Sequence, residues 1–351
     1  MVPSTMGAMV APVVPKGRRV RMAGVWHDAD VDESEVPTTR VEVAVVGTVN
    51  LDHTVRVRRL PAAGETVVGD AVSTALGGKG ANQAVAAARQ GARAALVACV
   101  GDDPDGADLL DLLGAEANLD TRGVRRVPGS TGSAFVAIDD SGANTVVSER
   151  GVNELLDEEQ VHRNGPVIAG AAVLLVQLGV ARDAIRAALE VARSVGTITV
   201  LDPSPPDDVT DDLLRLVDIC TPNETEAERL TGIPVDDLAG ARAAAAALVA
   251  RGCACAVVTL GARGAVCASS ASAAVVVAPF TVDVLDPTGA GDAFCGALAA
   301  ALAHGVSLDD ALTRGSAAGA LAATRIGAAA SLPTRAEVDG LLARQAHDRP
   351  V

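Results

Sequence analysis

Two glycine-marked helix starts carry the residues best suited to chemistry. LDPTGAGDAFCGALAAALAHG, residues 285–305, passes from a Gly-rich bend into a helix pattern. Gly289, Ala290 and Gly291 form the bend, where missing Cβ atoms let backbone N–H groups converge. A helix N-terminus with free amides is an anion site, suited to a phosphoryl group. Asp292 follows inside the first turn, where the helix dipole favours its ionised form. A carboxylate so placed can take a proton from a substrate hydroxyl. It can equally be a plain cap, a common use of Asp.

The second start is GGKGANQAVAAARQG, residues 77–91. Lys79 is one of only two lysines, the other being Lys16 near the N-terminus. In a chain whose positive charge is otherwise arginine, a lone Lys after Gly78 points to a need for a compact charge; an ordinary surface residue is the alternative. Asn82 opens the helix, and Asn50 and Asp52 stand at the end of the first strand-like run. These groups suit a polyhydroxy ligand, and open α/β sheets bind ligands at strand carboxyl ends.

Two weaker pieces accompany them. TPNETEAERLTG (221–232) sets Asn223 and Glu226 three apart at a strand-to-helix junction, fit for water, Mg²⁺ and phosphate or for a capping box. TLGARG (259–264) is a strand followed by a Gly turn, open to a flat ligand. Two familiar motifs fail. A Walker A loop is broken because Gly80 follows Lys79 and Ser73 holds the first Gly position. A dinucleotide motif is broken by Phe294, where the third Gly belongs.

The elements that must position these groups alternate. VEVAVVGTVN, ALVACVGDD, AAVLLVQLG, TITVLDPS, VDICTPNE and CACAVVTLG read as buried strands. Helical patterns fall at 107–117, 181–193, 224–231 and 239–251, which implies a parallel sheet covered on both faces. Residues 52–76 and 131–148 break the alternation and read as short antiparallel strands resting over the larger domain. With 44 Asp+Glu against 29 Lys+Arg and 1% aromatics, nucleic-acid binding is disfavoured. No apolar run is long enough for a membrane span.

Cys99, Cys220, Cys253, Cys255, Cys267 and Cys295 lie in apolar runs without a C-x-x-C pair, as buried thiols of a reducing cytoplasm do. Residues 1–40 are unlike the body: Pro3, Pro12 and Pro15 interrupt the apolar stretch, and Arg18, Arg19 and Arg21 follow it, the wrong order for a signal peptide. All four Met residues fall there, so a disordered extension, or a start placed upstream of the true one, is expected. The body is assigned to 41–340 and a tail to 341–351.

GGKGANQAVAAARQGA, TPNETEAERLTGI and DPTGAGDAF, in this order, resemble the ribokinase-like (PfkB) family of carbohydrate kinases over about residues 41–336. The resemblance implies a doubly wound, mostly parallel α/β sheet flanked by helices, a small β-sheet lid that also forms a homodimer contact, and ATP-dependent phosphorylation of the O5 hydroxyl of D-ribose. By position it implies Asp292 as base with Gly289, Ala290 and Gly291 as anion hole. Asn50, Asp52, Gly78, Lys79 and Asn82 would hold sugar; Asn223, Thr259, Gly261, Gly264, Gly291 and Ser316 would hold nucleotide, with Glu226 organising Mg²⁺ through water. A K⁺ site would draw on Asp286, Thr288, Ala322, Arg325, Gly327 and Ser331. Two departures stand out: Gly179 where ribose-binding members carry a sugar-holding Glu, and Pro287 where Thr is usual. Gly179 either loosens ribose binding or opens space for another acceptor, such as 2-deoxyribose, a ketohexose or a nucleoside. A non-catalytic sugar-responsive protein on the same fold should have lost Asp292 or the Gly-Ala-Gly bend, and both are intact.

Overall fold

The computed structural model describes residues 40–270 and 272–347; the expected N-terminal extension thus lies outside the described residues, apart from Arg40. In chain order the first elements are β1 (Val43–Val46), β2 (Asn50–Arg56), β3 (Ala71–Gly77), α1 (Lys79–Arg89), β4 (Ala94–Gly101), α2 (Pro104–Gly114) and β5 (Leu119–Val127). Then come β6 (Gly132–Ile138), β7 (Asn144–Glu149), α3 (Glu158–Arg163), α4 (Gly165–Gly170), β8 (Val173–Gln177), α5 (Arg182–Val195), β9 (Ile198–Asp202), α6 (Asp211–Leu214) and β10 (Ile219–Cys220). The remainder is α7 (Glu224–Thr231), α8 (Leu238–Arg251), β11 (Cys255–Thr259), β12 (Ala265–Ser269), β13 (Ser272–Val277), α9 (Ala290–Ala303), α10 (Leu308–Ala322) and α11 (Arg335–His347).

Nine strands form the main sheet in the order β13-β12-β11-β10-β9-β8-β1-β4-β5. Its pairs are parallel from β5 to β11, and only the β11–β12 and β12–β13 pairs are antiparallel, so β12 alone runs against the rest. Side chains of β1 alternate between two cores, as the period of two requires. Val43 and Val45 pack with Ala84, Val85 and Leu298 of α1 and α9. Ala44 and Val46 pack on the opposite face with Ile185, Leu189 and Leu248 of α5 and α8. From β1 the chain builds β4 and β5 on one side and returns to build β8 onward on the other. The switch point therefore lies between the carboxyl ends of β1 and β8, where such sheets open a crevice.

The two irregular segments form a separate four-stranded sheet, β3-β2-β6-β7. Each is an antiparallel pairing as expected, but the two meet through β2 and β6, which run parallel. Three local readings need correction. VEVAVVGTVN is two strands: a Cβ on Gly47 would sit 1.8 Å from Gln177 Oε1, and beyond this close approach the chain leaves the main sheet. Asn50 and Asp52 thus belong to lid strand β2. Helix α2 starts at Pro104 because Asp103 caps it, accepting from Gly106 N at 2.8 Å. Helix α11 runs through 341–347, part of the segment assigned to a tail.

Candidate active site

Helices α1 and α9 cross closely because Gly296 has no side chain; a Cβ there would meet Ala86 Cβ at 2.4 Å. That approach brings Asn82 and Gln83 of α1 against the first turn of α9. Asp292 is 6% exposed, so what surrounds its carboxylate decides its role. Asn82 Nδ2 donates to its Oδ2 at 2.9 Å, and Gln83 Nε2 donates to its Oδ1 at 3.1 Å. The helix is capped by Gly289, at φ 78°, with no side-chain cap bond. Asp292 is therefore not the cap that spacing alone left open. Burial raises its pKa, with Asp202 adding to the rise; Lys79, Asn82 and Gln83 oppose it.

Ala290 donates its N–H to Pro287 O at 3.1 Å, so Pro287 keeps the turn and the Ala290 amide closes it. Gly291 and Asp292 follow in the first helical turn, where amides have no intrahelical acceptor. Space beside Gly291 is open: a Cβ there would touch nothing within 4 Å.

Across from Asp292 lie the lid residues. A Cβ on Gly77 would strike the Asp52 carboxylate at 2.1 Å, so glycine is what lets Asp52 tuck against β3. Asp52 Oδ1 is buried without a hydrogen-bond partner, and so is Asn82 Oδ1. Burial, and then the nearby Asp292 charge, push the Asp52 pKa up to about 7. Two orphaned acceptors in one cleft are what a ligand rich in hydroxyl donors would satisfy. Asn50 is pinned from behind by Asn153, whose Nδ2 donates to Asn50 Oδ1 at 2.9 Å and whose Oδ1 accepts from Val49 N at 2.9 Å.

Gly78, at φ 86°, lies so close to the β1–β2 connection that a Cβ would come within 2.7 Å of Asn50 N. Lys79 Nζ reaches Asp202 Oδ2 at 2.9 Å. Burial opposes its charge, but Asp202, Asp292 and Glu226 more than offset that and raise its pKa. Gln83 Nε2 also donates to Asp202 Oδ2 at 2.8 Å, and Gln177 Nε2 donates to Gln83 Oε1 at 2.5 Å. Sequence reasoning missed Gln83, Asn153, Gln177 and Asp202. The available signals were Gln83 four residues after Lys79 on one helix face and Asp202 at a strand carboxyl end.

The capping box between Asn223 and Glu226 is real: Asn223 Oδ1 accepts from Glu226 N, and Glu226 Oε2 from Asn223 N, both at 2.9 Å. Burial and Asp202 raise the Glu226 pKa while Lys79 opposes the rise, so a nearby cation would favour its charged form. Thr259 ends β11 beside Asn223, with which it forms a β-bridge. Gly261 and Gly264 take positive φ in the following turn, where a Cβ on Gly264 would lie 2.1 Å from Val277 O. Ser316 lies on α10 one turn before Gly319, where a Cβ would come within 3.0 Å of Ala290 O.

Asp286 ties two loops together, accepting from Thr288 N at 3.0 Å and from Gly327 N at 2.9 Å. Ser331 Oγ donates to Ala328 O at 2.8 Å, Ala322 O accepts from Arg325 N at 3.0 Å, and Arg325 pairs with Glu337. Gly179 does not open space. A Cβ there would meet Thr48 Cγ2 at 2.4 Å, so the Thr48 methyl occupies the switch-point crevice.

A profile of the pfkB family of carbohydrate kinases matches residues 40–335, nearly the whole described fold. The chain belongs to that family. A Haemophilus influenzae ribokinase is 39% identical over 299 residues, covering 85% of this chain and 97% of that one. A Salmonella typhi deoxyribokinase is 33% identical, covering 74% and 85%. The structure of an Arabidopsis thaliana ribokinase complexed with ribose and ATP superposes with a TM-score of 0.78 at 30% identity, covering 86% and 98%. The pfkB fold accounts for both sheets. Among the described residues no helix is long and apolar enough to cross a membrane.

Proposed function

We propose that this pfkB chain is a ribokinase, transferring the γ-phosphoryl group of ATP to the O5 hydroxyl of D-ribose. The observation that carries the reading is Asp292: buried, anchored at both oxygens by α1 amides, and facing the orphaned acceptors of Asp52 and Asn82 beside a helix N-terminus. The likeness to a ribokinase at 39% identity supports the substrate.

In this mechanism Asn50, Asp52, Gly78, Lys79 and Asn82 line the sugar. Asp292 accepts the proton of the attacking hydroxyl on a lone pair that the Asn82 and Gln83 amides leave free. Amides of the α9 first turn stabilise charge developing on the transferred group. Asn223, Thr259, Gly261, Gly264 and Ser316 are proposed to border the nucleotide. The lid, carrying Asp52, closes over the sugar and excludes water, which limits ATP hydrolysis.

Glu226 fits a role beside Mg²⁺, which would neutralise phosphate charge. Asp286, which ties the 286–288 and 325–331 loops together, supplies a carboxylate, the hard oxygen donor that would suit K⁺. Such a cation would steady the Gly289 bend through Asp286. The outer lid face exposes Val72, Phe135 and Val147, with Phe135 stacked on His53 at 4.9 Å. That apolar face supports a homodimer formed through the lid. ATP use and six free buried thiols fit a reducing cytoplasm.

A second acceptor, 2-deoxyribose, is favoured by one observation: Thr48 fills the space beside Gly179, leaving a methyl where another hydroxyl partner could stand. A sugar panel read by ADP release, with K⁺ or Na⁺ as the monovalent salt, tests the reading. Fastest turnover with D-ribose is expected; turnover confined to another sugar would replace the substrate, and none with any sugar would remove the activity.

A further inference from the structure

The groups beneath the catalytic carboxylate form a continuous buried set that sugar and nucleotide do not explain. Gln83 and Gln177 are fully buried, and Asp202 is 3% exposed. Gln83 uses both Nε2 hydrogens on carboxylates, one on Asp202 Oδ2 at 2.8 Å and one on Asp292 Oδ1 at 3.1 Å. Its Oε1 accepts from Gln177 Nε2 at 2.5 Å, which fixes the amide in this orientation. A flipped Gln83 would turn its oxygen toward two carboxylates. Lys79 meanwhile bonds Asp202 rather than Asp292.

We propose that Asp202 and Gln83 are positioning residues that tune the basicity of Asp292: Asp202 holds the Lys79 ammonium away from the base, and Gln83 spaces the two carboxylates apart. The inference rests on the kinase reading of the site and names what sets its pH dependence. A base paired directly with an ammonium would be too weak to take a sugar proton readily, and one with no amide donors would have its charged form disfavoured further by burial.

Every charged or titratable neighbour has a place in this balance. Lys79 comes from α1, Asp202 from the end of β9, Asp52 from lid strand β2, and Glu226 from the first turn of α7. Cys295 on α9 and Cys220 at the end of β10 are also near, but burial pushes both thiols up and keeps them neutral. Asp52 faces substrate, so saturating sugar separates its ionisation from that of Asp292. Asp202 adds to the rise of the Asp292 pKa and Gln83 opposes it, so removing each has an opposite sign.

The test is the pH profile of kcat at saturating sugar and ATP for Asp202→Asn and Gln83→Met, with thermal melting to confirm folding. Asp202→Asn frees Lys79 for Asp292, so the acid limb is expected about one pH unit lower, with a severalfold lower plateau. Gln83→Met removes a donor, so the limb moves upward. Structural damage alone gives no such pair of opposite shifts. Limbs that stay put in both folded variants, or move the same way, overturn the inference while leaving the kinase reading intact. A second measurement needs no turnover: the carboxyl ¹³C resonance of Asp292 in labelled protein should titrate lower in Asp202→Asn than in the parent. An unchanged midpoint there overturns the inference even if no sugar is phosphorylated, an outcome that would separately remove the kinase reading.

Discussion

Asp52→Asn should stabilise the protein at alkaline pH while weakening its grip on sugar. Asp52 sits against Gly77 with Oδ1 unpartnered and Asp292 nearby, and its pKa rises from 3.8 to about 7. Between those values the folded state keeps a proton that the unfolded chain has lost. Stability from this group is then fully present below the unfolded pKa and falls as pH climbs to about 7. Three pH units at about 1.4 kcal/mol each give an upper bound of about 4 kcal/mol. Halving it for residual hydration of a partly exposed group leaves about 2 kcal/mol. At about 2 °C per kcal/mol for a fold of this size, the variant should melt about 4 °C above the parent at pH 8. The gap should shrink to about 1–2 °C at pH 5, where only about a third of that stability has been lost. Differential scanning calorimetry at both pH values reads this directly. A gap independent of pH, or a variant destabilised equally at both, would refute the argument that Asp52 is a strained carboxylate awaiting hydroxyl donors.

Further outcomes follow from other parts of the cleft. Gly179→Glu alone should lose stability and leave sugar affinity no better, because its Cβ meets Thr48 Cγ2 at 2.4 Å. Paired with Thr48→Ser, which removes that methyl, it should lower the KM for D-ribose severalfold relative to the single variant, and additive KM effects in the double-mutant cycle would contradict the steric account. Phe135→Asp places a charge on the half-exposed outer lid face, where it should halve the mass seen by light scattering at micromolar concentration, while an unchanged mass would remove the lid from the subunit contact.

The fold was legible where local chemistry marks it. Glycines at 78 and 289 announce helix starts through conformations other residues resist, and the even alternation in 52–76 and 131–148 separates the lid from the buried parallel strands. The parallel join of β2 to β6 was not legible, because it pairs segments some eighty residues apart and no local pattern encodes the register. Asn50 was placed on the wrong strand for a related reason: the close contact of Gly47 with Gln177 that precedes the break is a tertiary fact. Asp292, Lys79 and Asn82 could be singled out because each stands beside a glycine bend. Gln83, Asn153, Gln177 and Asp202 could not, since a buried amide gains meaning only from the carboxylate or backbone that packing brings to it. The Thr48 methyl beside Gly179 likewise comes from the distant β1–β2 connection, so the missing side chain read as open space.

The central claim is that the carboxylate at the start of α9 takes the proton from the sugar. Asp292→Asn keeps the shape and the neighbouring amides but removes the base. Measured by calorimetry for sugar binding and by ADP release for turnover, it should bind D-ribose within a fewfold of the parent and lose about 10²–10⁴ in kcat. A variant that turns over at near-parental rate would contradict the account.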